Sequence, residues 1–332
     1  MTVDGTMGGG DADLACPACA GPMSVRGGAV LSPWVRARVG ATARGSDFLT
    51  CRACGTGVFS YRYSQAELDD LYRDYRGEGY FRLRHSWEPS YSAALNDDLG
   101  ASGEVVEARQ AMLVRALDEA LDGSGSPIGC VIDIGGDRGQ FIPRRFPRRF
   151  VMEVSGKPPV DGVSPVTSLQ HARAVAPDLL MVCGLLEHLP DPAGFLRSTT
   201  SAIGADRSVL VYVEVPAGVP DPYRRRSPEL ALAIGSAAAR TRLTWSLLDR
   251  LDARGRVTRG RESALMPLRQ SEHINFFTTQ GLASMAELLG WDTLLLDEYA
   301  MPSRLLEGGR LGFSKVLRGL LRTKVPSSAE VS

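Results

Sequence analysis

The stretch VIDIGGDRGQF, Val131 to Phe141, decides how this chain reads. An apolar run carrying one acid, Asp133, enters a turn punctuated by Gly135, Gly136 and Gly139. A buried strand running into a glycine turn is the pattern of a loop that wraps a nucleotide-type ligand. Asp137 stands inside that turn, where such loops usually carry a residue without a side chain. A helix expected near 140–146 would set the loop amides at the positive end of a helix dipole. The next apolar run, RFVMEVS, ends at Glu153, an acid placed to accept ribose hydroxyls.

Outward from there, short apolar runs alternate with helical segments. DLLMVCGLL, SVLVYVEVP and WDTLLLDEY read as further strands, with helices near 168–175, 191–203 and 278–290. Unbroken apolar strands between helices imply a mostly parallel sheet covered on both faces, an α/β fold. The stretch 217–271 breaks the rhythm and reads as a helical insertion over one end of the sheet. Upstream, SQAELDDLYRDY opens a helix at Ser64, and another covers 103–122. The organisation expected is a tail (1–12), a cysteine lobe (13–60), a helical and aromatic lid region (61–125) and the sheet domain (126–332). The segment between the cysteine pairs reads as irregular or a short hairpin, and RLGFSKVLRGLLRTKV as the last strand plus a surface helix.

The 332 residues carry 38 basic and 38 acidic side chains. Zero net charge gives no global field toward nucleic acid, and none is expected as a partner. No run approaches the roughly 18 apolar residues of a membrane span, and no signal core opens the chain, so a cytoplasmic protein is expected. Of the six cysteines, four form two pairs, Cys16/Cys19 and Cys51/Cys54, each followed by a glycine that permits a tight knuckle. In a reducing compartment this spacing implies a structural zinc ion, because four thiolates leave no position for an activated water. Cys130 and Cys183 read as small core residues.

The glycine turn alone leaves nicotinamide and S-adenosylmethionine cofactors both open. LLEHLPDP (185–192) and EHINFFTTQGL (272–282), taken in order with DIGGDRGQF and EVS, resemble class I S-adenosylmethionine-dependent methyltransferases over about residues 128–300. The cysteine knuckles ahead of that core resemble those of sugar C-methyltransferases. Those enzymes carry a further C-terminal domain, for which the residues after 300 are too few. The resemblance implies a Rossmann-like, seven-stranded methyltransferase sheet and an S-adenosylmethionine site at Asp133, Gly135, Gly136, Asp137, Gly139, Glu153, Ser168, Cys183 and Leu185. It also implies His273 as a base oriented by Glu272. His188 reads equally as a residue of a helix start.

Asp137 is expected to face the cofactor ammonium, with Arg138 offsetting the cofactor carboxylate. Two unit charges ~5 Å apart interact by about 3 kcal/mol at an effective dielectric near 20, so the sign of that contact matters. Tyr75, Tyr80 and Arg82, in the aromatic run, are candidates to close over an acceptor. The acceptor expected is a small molecule: a sugar, glycan precursor or secondary-metabolite scaffold, methylated on carbon or oxygen. Two rival readings are a zinc ribbon that binds or modifies RNA and a methyltransferase fold without catalysis. Oligomeric state is not legible in the sequence.

Overall fold

A computed structural model describes residues 14–98, 103–121, 128–204, 207–219, 228–259, 269–304 and 311–324. In chain order the elements are β1 (Met23–Leu31), α1 (Pro33–Val39), β2 (Gly45–Cys51), β3 (Gly57–Phe59), α2 (Gln65–Tyr72), α3 (Glu78–Trp87), α4 (Ala93–Asp98) and α5 (Gly103–Leu121). There follow β4 (Cys130–Ile134), β5 (Arg148–Met152), β6 (Ser164–Pro165), α6 (Leu169–Val175), β7 (Leu179–Cys183), α7 (Pro192–Gly204) and β8 (Leu210–Pro216). The last are α8 (Pro228–Ala238), α9 (Arg242–Arg259), β9 (Arg269–Gln270), β10 (Asn275–Phe276), α10 (Thr279–Leu288), β11 (Asp292–Arg304) and β12 (Leu311–Arg322).

The large sheet has seven strands in the order β11-β12-β8-β7-β4-β5-β6. Only β12 runs against its neighbours, pairing antiparallel with both β11 and β8. Strands β4, β5, β6, β7 and β8 pair in parallel. The mostly parallel, seven-stranded α/β sheet expected from the sequence is therefore present. From β4 the chain moves outward through β5 and β6, then returns to the other side of β4 as β7. That reversal opens a crevice beyond the C-terminal ends of β4 and β7, where open parallel sheets hold their ligands.

Alternating side chains give each strand two apolar faces. Val131, Leu179, Met181 and Tyr212 pack with Leu113, Ala116 and Leu117 of α5 on one face. Ile132, Leu180 and Val209 meet Ala172, Val175 and Ile203, from α6 and its neighbour α7, on the other. Caps fix the entry of these helices: the Ser168 hydroxyl accepts from His171 N at 3.1 Å, and Asp191 Oδ1 accepts from Gly194 N at 2.8 Å.

A second sheet, β10-β3-β2-β1-β9, stands beside the first. The segment between the cysteine pairs is ordered as β1-α1-β2 with antiparallel strands, more regular than the hairpin expected. Pro33 opens α1, and Gly40 closes it at φ 69° in the left-handed region. β9 and β10 come from beyond residue 268 and pair with β1 and β3, so the N-terminal lobe is completed by the far part of the chain. The helices expected in 217–271 are α8 and α9; residues 220–227 and 260–268 lie outside the described residues, as does the 1–12 tail. RLGFSKVLRGLLRTKV is strand β12 from Leu311 to Arg322, so the surface helix expected within that stretch is not formed in its described residues: antiparallel pairing with both β11 and β8 holds it extended.

One expectation fails. Residues 140–146 form turns and no helix follows the glycine loop. Pro143 and Pro147 lack the N–H that a helix needs, and the short span to β5 leaves no room for one. Gly139 N bonds Gly136 O at 2.8 Å and Ile142 N bonds Gly139 O at 3.2 Å, so the loop closes on itself without a helix dipole.

Arg62, just after β3, ties the two sheets together. Its guanidinium donates to the carbonyls of Leu189 (3.0 Å), Pro190 (2.8 Å) and Ile274 (3.0 Å), and to Asn275 Oδ1 (2.7 Å). Burial lowers its pKa to about 10, still well above neutrality. Arg62→Leu strips four acceptors of a charged donor at once, and should cost about 3 kcal/mol of stability by urea titration. A loss within about 0.5 kcal/mol of zero, the range of an ordinary surface change, would show that the clamp is dispensable.

Candidate functional site

The crevice has a charged floor. Asp133, Cys183 and Glu214 lie at or near the C-terminal ends of β4, β7 and β8 on the face covered by α5, and each is buried. Arg109 of α5 donates Nε to Glu214 Oε1 at 2.8 Å and Nη2 to the same oxygen, with its guanidinium 4.1 Å from the Phe141 ring centroid. Asp133 has no such satisfaction. It is wholly buried, and neither carboxylate oxygen has a hydrogen-bond partner. Burial pushes its pKa up to about 8, against a smaller lowering by Arg109 and further raising by Glu214. Burial likewise raises the Cys183 thiol well above its ordinary range, leaving it inert.

The glycine loop lies directly over that carboxyl. Any Cβ on Gly136 would collide with the Asp133 carboxylate, so this position requires glycine for space. Gly135 and Gly139 both take left-handed φ, 69° and 71°, and a Cβ at Gly139 would come within 2.8 Å of Val163. Leu185, at the opposite lip, lies against Gly135. Asp137 also adopts left-handed φ, 54°, which costs a non-glycine residue roughly 1 kcal/mol. Its carboxylate lies 3.7 Å from Arg76 Nη1 and 3.7 Å from Lys157 Nζ. Arg138, expected beside the cofactor, donates Nε to Pro158 O at 2.9 Å. The cations around Asp137 are therefore Arg76 and Lys157, which sequence reading missed because they are distant in the chain. Glu153 accepts from Asp137 N at 3.1 Å and from Val154 N and Ser155 N at 2.9 Å each, fixing the carboxylate at the end of β5.

On the other lip, a 3-10 turn at Leu186–His188 faces the segment before β10. Ile274 N bonds Glu187 O at 2.8 Å, and Asn275 Nδ2 bonds the carbonyls of Leu186 (2.9 Å) and Leu189 (2.7 Å). These bonds bring the His188 and His273 rings to 4.6 Å, edge to face. His273 is solvent-exposed although it sits deep among protein atoms, as a residue on a crevice wall does. Its depth and the neighbouring His188 lower its pKa, so it is neutral at physiological pH.

Glu272 turns the opposite way from its neighbour. Its carboxylate accepts from Tyr80 Oη and from Arg84 Nη1 (2.9 Å), and the Arg84 charge leads the effects that hold its pKa low against burial. Arg84 in turn stacks on Tyr91 (4.0 Å) and Trp34 (4.8 Å). Glu272 and Tyr80 thus belong to a buried pillar between α3 and the second sheet. Tyr75 packs edge to face on Tyr72 (5.4 Å), whose hydroxyl lies 2.8 Å from His188 Nδ1, so the aromatic run reaches the histidine pair through Tyr72. Arg82 is exposed on α3, paired with Glu78 at 3.3 Å, and is not brought to the crevice. Ser168 serves as the α6 cap.

The four cysteines converge. Their sulfurs all lie within 4.8 Å of one another, with Cys16–Cys54 at 3.6 Å and Cys19–Cys51 at 3.4 Å. Sulfurs about 2.3 Å from a tetrahedral zinc would stand about 3.8 Å apart, so the donor set fits that ion. Amides of Ala18 and Ala53 point at Cys16 and Cys51 at 3.4 Å each. The knuckles share a core with Val182, Leu186, Phe277 and Leu282, and Thr278 Oγ1 donates to Cys54 O at 2.6 Å. The cysteine cluster therefore braces the start of α10 against the main sheet.

No family model matches the chain, and no curated protein matches it. Among solved structures it is similar to an S-adenosylmethionine-dependent methyltransferase from Anabaena variabilis, at 12% identity over 72% of this chain and 94% of that one, TM-score 0.39. It is also similar to the 1,6-didemethyltoxoflavin-N1-methyltransferase of Burkholderia thailandensis, at 14% identity over 73% and 90%, TM-score 0.36. A third is the magnesium protoporphyrin IX methyltransferase of Synechocystis, at 11% identity over 75% and 97%, TM-score 0.34.

The buried Asp133 makes a test in solution. Its ordinary pKa of 3.8 becomes about 8 in the folded chain. Between those values the folded protein holds a proton that the unfolded chain has released, so this group lowers stability as pH rises, by up to about 1.4 kcal/mol per unit. Asp133→Asn should therefore gain on the wild type from pH 5 to pH 8 in denaturant titrations without ligand, then level off. A pH-independent difference would refute the buried, unpaired acid.

Proposed function

We propose that this chain is an S-adenosylmethionine-dependent methyltransferase acting on a small-molecule acceptor. One observation carries the reading: the crevice beyond β4 and β7 joins a glycine loop, an unpartnered buried carboxylate beneath it and a solvent-reached imidazole opposite. The bound cofactor supplies an electrophilic sulfonium methyl. The residues present fit it. Glu153 accepts three amides and keeps one lone-pair site, on Oε2, for a ribose hydroxyl. Asp133, with two unsatisfied oxygens, suits the neighbourhood of the methionine ammonium. Asp137 is expected near the same ammonium, and its flanking Arg76 and Lys157 balance the methionine carboxylate.

On the acceptor side, His273 presents an unprotonated imidazole nitrogen, and Tyr72 and Tyr75 form the aromatic wall. Glu272 acts by fixing the backbone on which His273 stands, since its carboxylate is committed to Tyr80 and Arg84. The acceptor class proposed is a sugar, glycan precursor or secondary-metabolite scaffold, methylated on carbon or oxygen. Cys16, Cys19, Cys51 and Cys54 hold a structural zinc ion.

The test is a mass-shift screen of candidate acceptors with S-adenosylmethionine, scored for a gain of one methyl group and release of S-adenosylhomocysteine. His273→Ala should bind cofactor within twofold of the wild type yet lose at least a hundredfold in turnover; unchanged turnover would remove His273 from the chemistry. Cofactor retained with no acceptor methylated across a broad panel would favour a non-catalytic scaffold instead. Elemental analysis should find zinc retained when Cys130→Ala is made and lost when Cys51→Ala is made. Equal zinc in both would contradict the four-cysteine site.

A further inference from the structure

We propose that Glu187, His188 and His273 form a second metal site, open to the crevice, for a divalent first-row transition ion. One ligand atom from each lies within 4.8 Å of the others. An ion about 2.1 Å from each donor spans at most about 4.2 Å between two of them, a gap that small side-chain adjustments close.

The second, independent observation is an unsatisfied oxygen. Glu187 is 3% exposed, and its Oε2 has no hydrogen-bond partner. A buried carboxylate left so is costly unless a cation meets it. The imidazoles are arranged to do their part. His188 Nδ1 lies 2.8 Å from Tyr72 Oη and 3.1 Å from the Glu272 carbonyl, both able to accept its proton. Held in that tautomer, His188 keeps the Nε2 lone pair for a metal, the usual outer support of a ligating histidine. The Ile274–Glu187 backbone bond and the Asn275 bonds to the 186–189 turn hold the two ligand segments at fixed separation.

Two imidazoles and one carboxylate select borderline ions such as Zn2+, Co2+, Fe2+ or Mn2+ over Mg2+ and Ca2+, which favour oxygen-only shells. Three protein ligands with one of them solvent-exposed leave positions for other donors, unlike the closed four-cysteine cluster. The ligand class for those positions is an acceptor with an oxygen donor, a hydroxyl or a carbonyl, whose acidity the ion would raise. The role in acceptor activation rests on the proposed function; the ion binding does not. With the ion in place His273 would serve as a ligand in place of a base, and the acidified acceptor hydroxyl would lose its proton to solvent water as its oxygen takes the methyl group.

The experiment uses the full chain carrying one zinc per molecule, titrated with Co2+ and followed by visible absorption. Expected is one further equivalent, with d–d bands and no rise in thiolate-to-cobalt charge transfer, displaced by added Zn2+. Glu187→Gln and His273→Asn should each weaken this second binding at least tenfold, while cysteine-site zinc and far-ultraviolet circular dichroism are retained. His273 is exposed, so His273→Asn keeps the test sound if Glu187→Gln fails to fold. No second equivalent, equal binding in His273→Asn, or a spectrum dominated by thiolate charge transfer would each overturn the site. S-adenosylmethionine binding measured on the same samples separates the readings. Cobalt without cofactor removes the methyltransferase function and leaves the metal site, and cofactor without cobalt does the reverse.

Discussion

The hydrogen bond from Ile274 N to Glu187 O, reinforced by Asn275 and by Arg62, is the constraint on which the site depends. It pins a segment from beyond the helical insertion onto the turn that follows β7. Together with the cysteine cluster packed on Val182 and Leu186, it fixes the second sheet beside the first, and it holds His273 edge to face with His188. The bonds are mostly to backbone, so they transmit position with little dependence on side-chain rotamers. Arg62 adds a charge that four acceptors hold in a half-buried position, which makes the junction stiff.

Among the described residues, the buried carboxylates without a hydrogen-bond partner on an oxygen are both at the crevice. Arg109 satisfies Glu214, Arg84 satisfies Glu272, and Arg318 is bonded to Asp297 and Glu119. Asp133, on the floor, and one oxygen of Glu187, in the turn at one lip, are buried without partners. Proteins keep such groups where something else is to meet them, because each costs stability on its own. The two proposed cations, a cofactor ammonium above the floor and a metal ion at the 186–188 turn, would account for both.

The fold was largely legible because short, unbroken apolar strands, buried on both faces, stand out between helical segments. Val131–Ile134, Leu179–Cys183 and Leu210–Val215 lie where the apolar runs placed them. The paired cysteines were legible for a similar reason, since their spacing already encodes the knuckle. What was not legible depended on contacts far apart in sequence. The two-residue strands β9 and β10 are too short to show periodicity, and they exist only because β1 and β3 offer edges to them. Arg76 and Lys157 meet Asp137 across more than one element. Glu272 and His273 are neighbours in the chain, yet the carboxylate is bonded to Tyr80 and Arg84 while the imidazole meets His188, so adjacency misled where geometry decides. The missing helix after the glycine loop was foretold by Pro143 and Pro147, a local signal outweighed by the motif around it.

The central claim is that the cleft above Asp133 receives S-adenosylmethionine. Calorimetry of that cofactor binding to the whole protein near neutral pH, repeated in buffers of different ionisation heat, addresses it directly. An acid that is protonated when buried alone and ionised beside a bound cation must give up a proton on binding. The account predicts saturable binding at one site per chain, with an apparent enthalpy that shifts from buffer to buffer as close to one proton is released. Absence of binding, or binding whose heat is the same in every buffer, would contradict it.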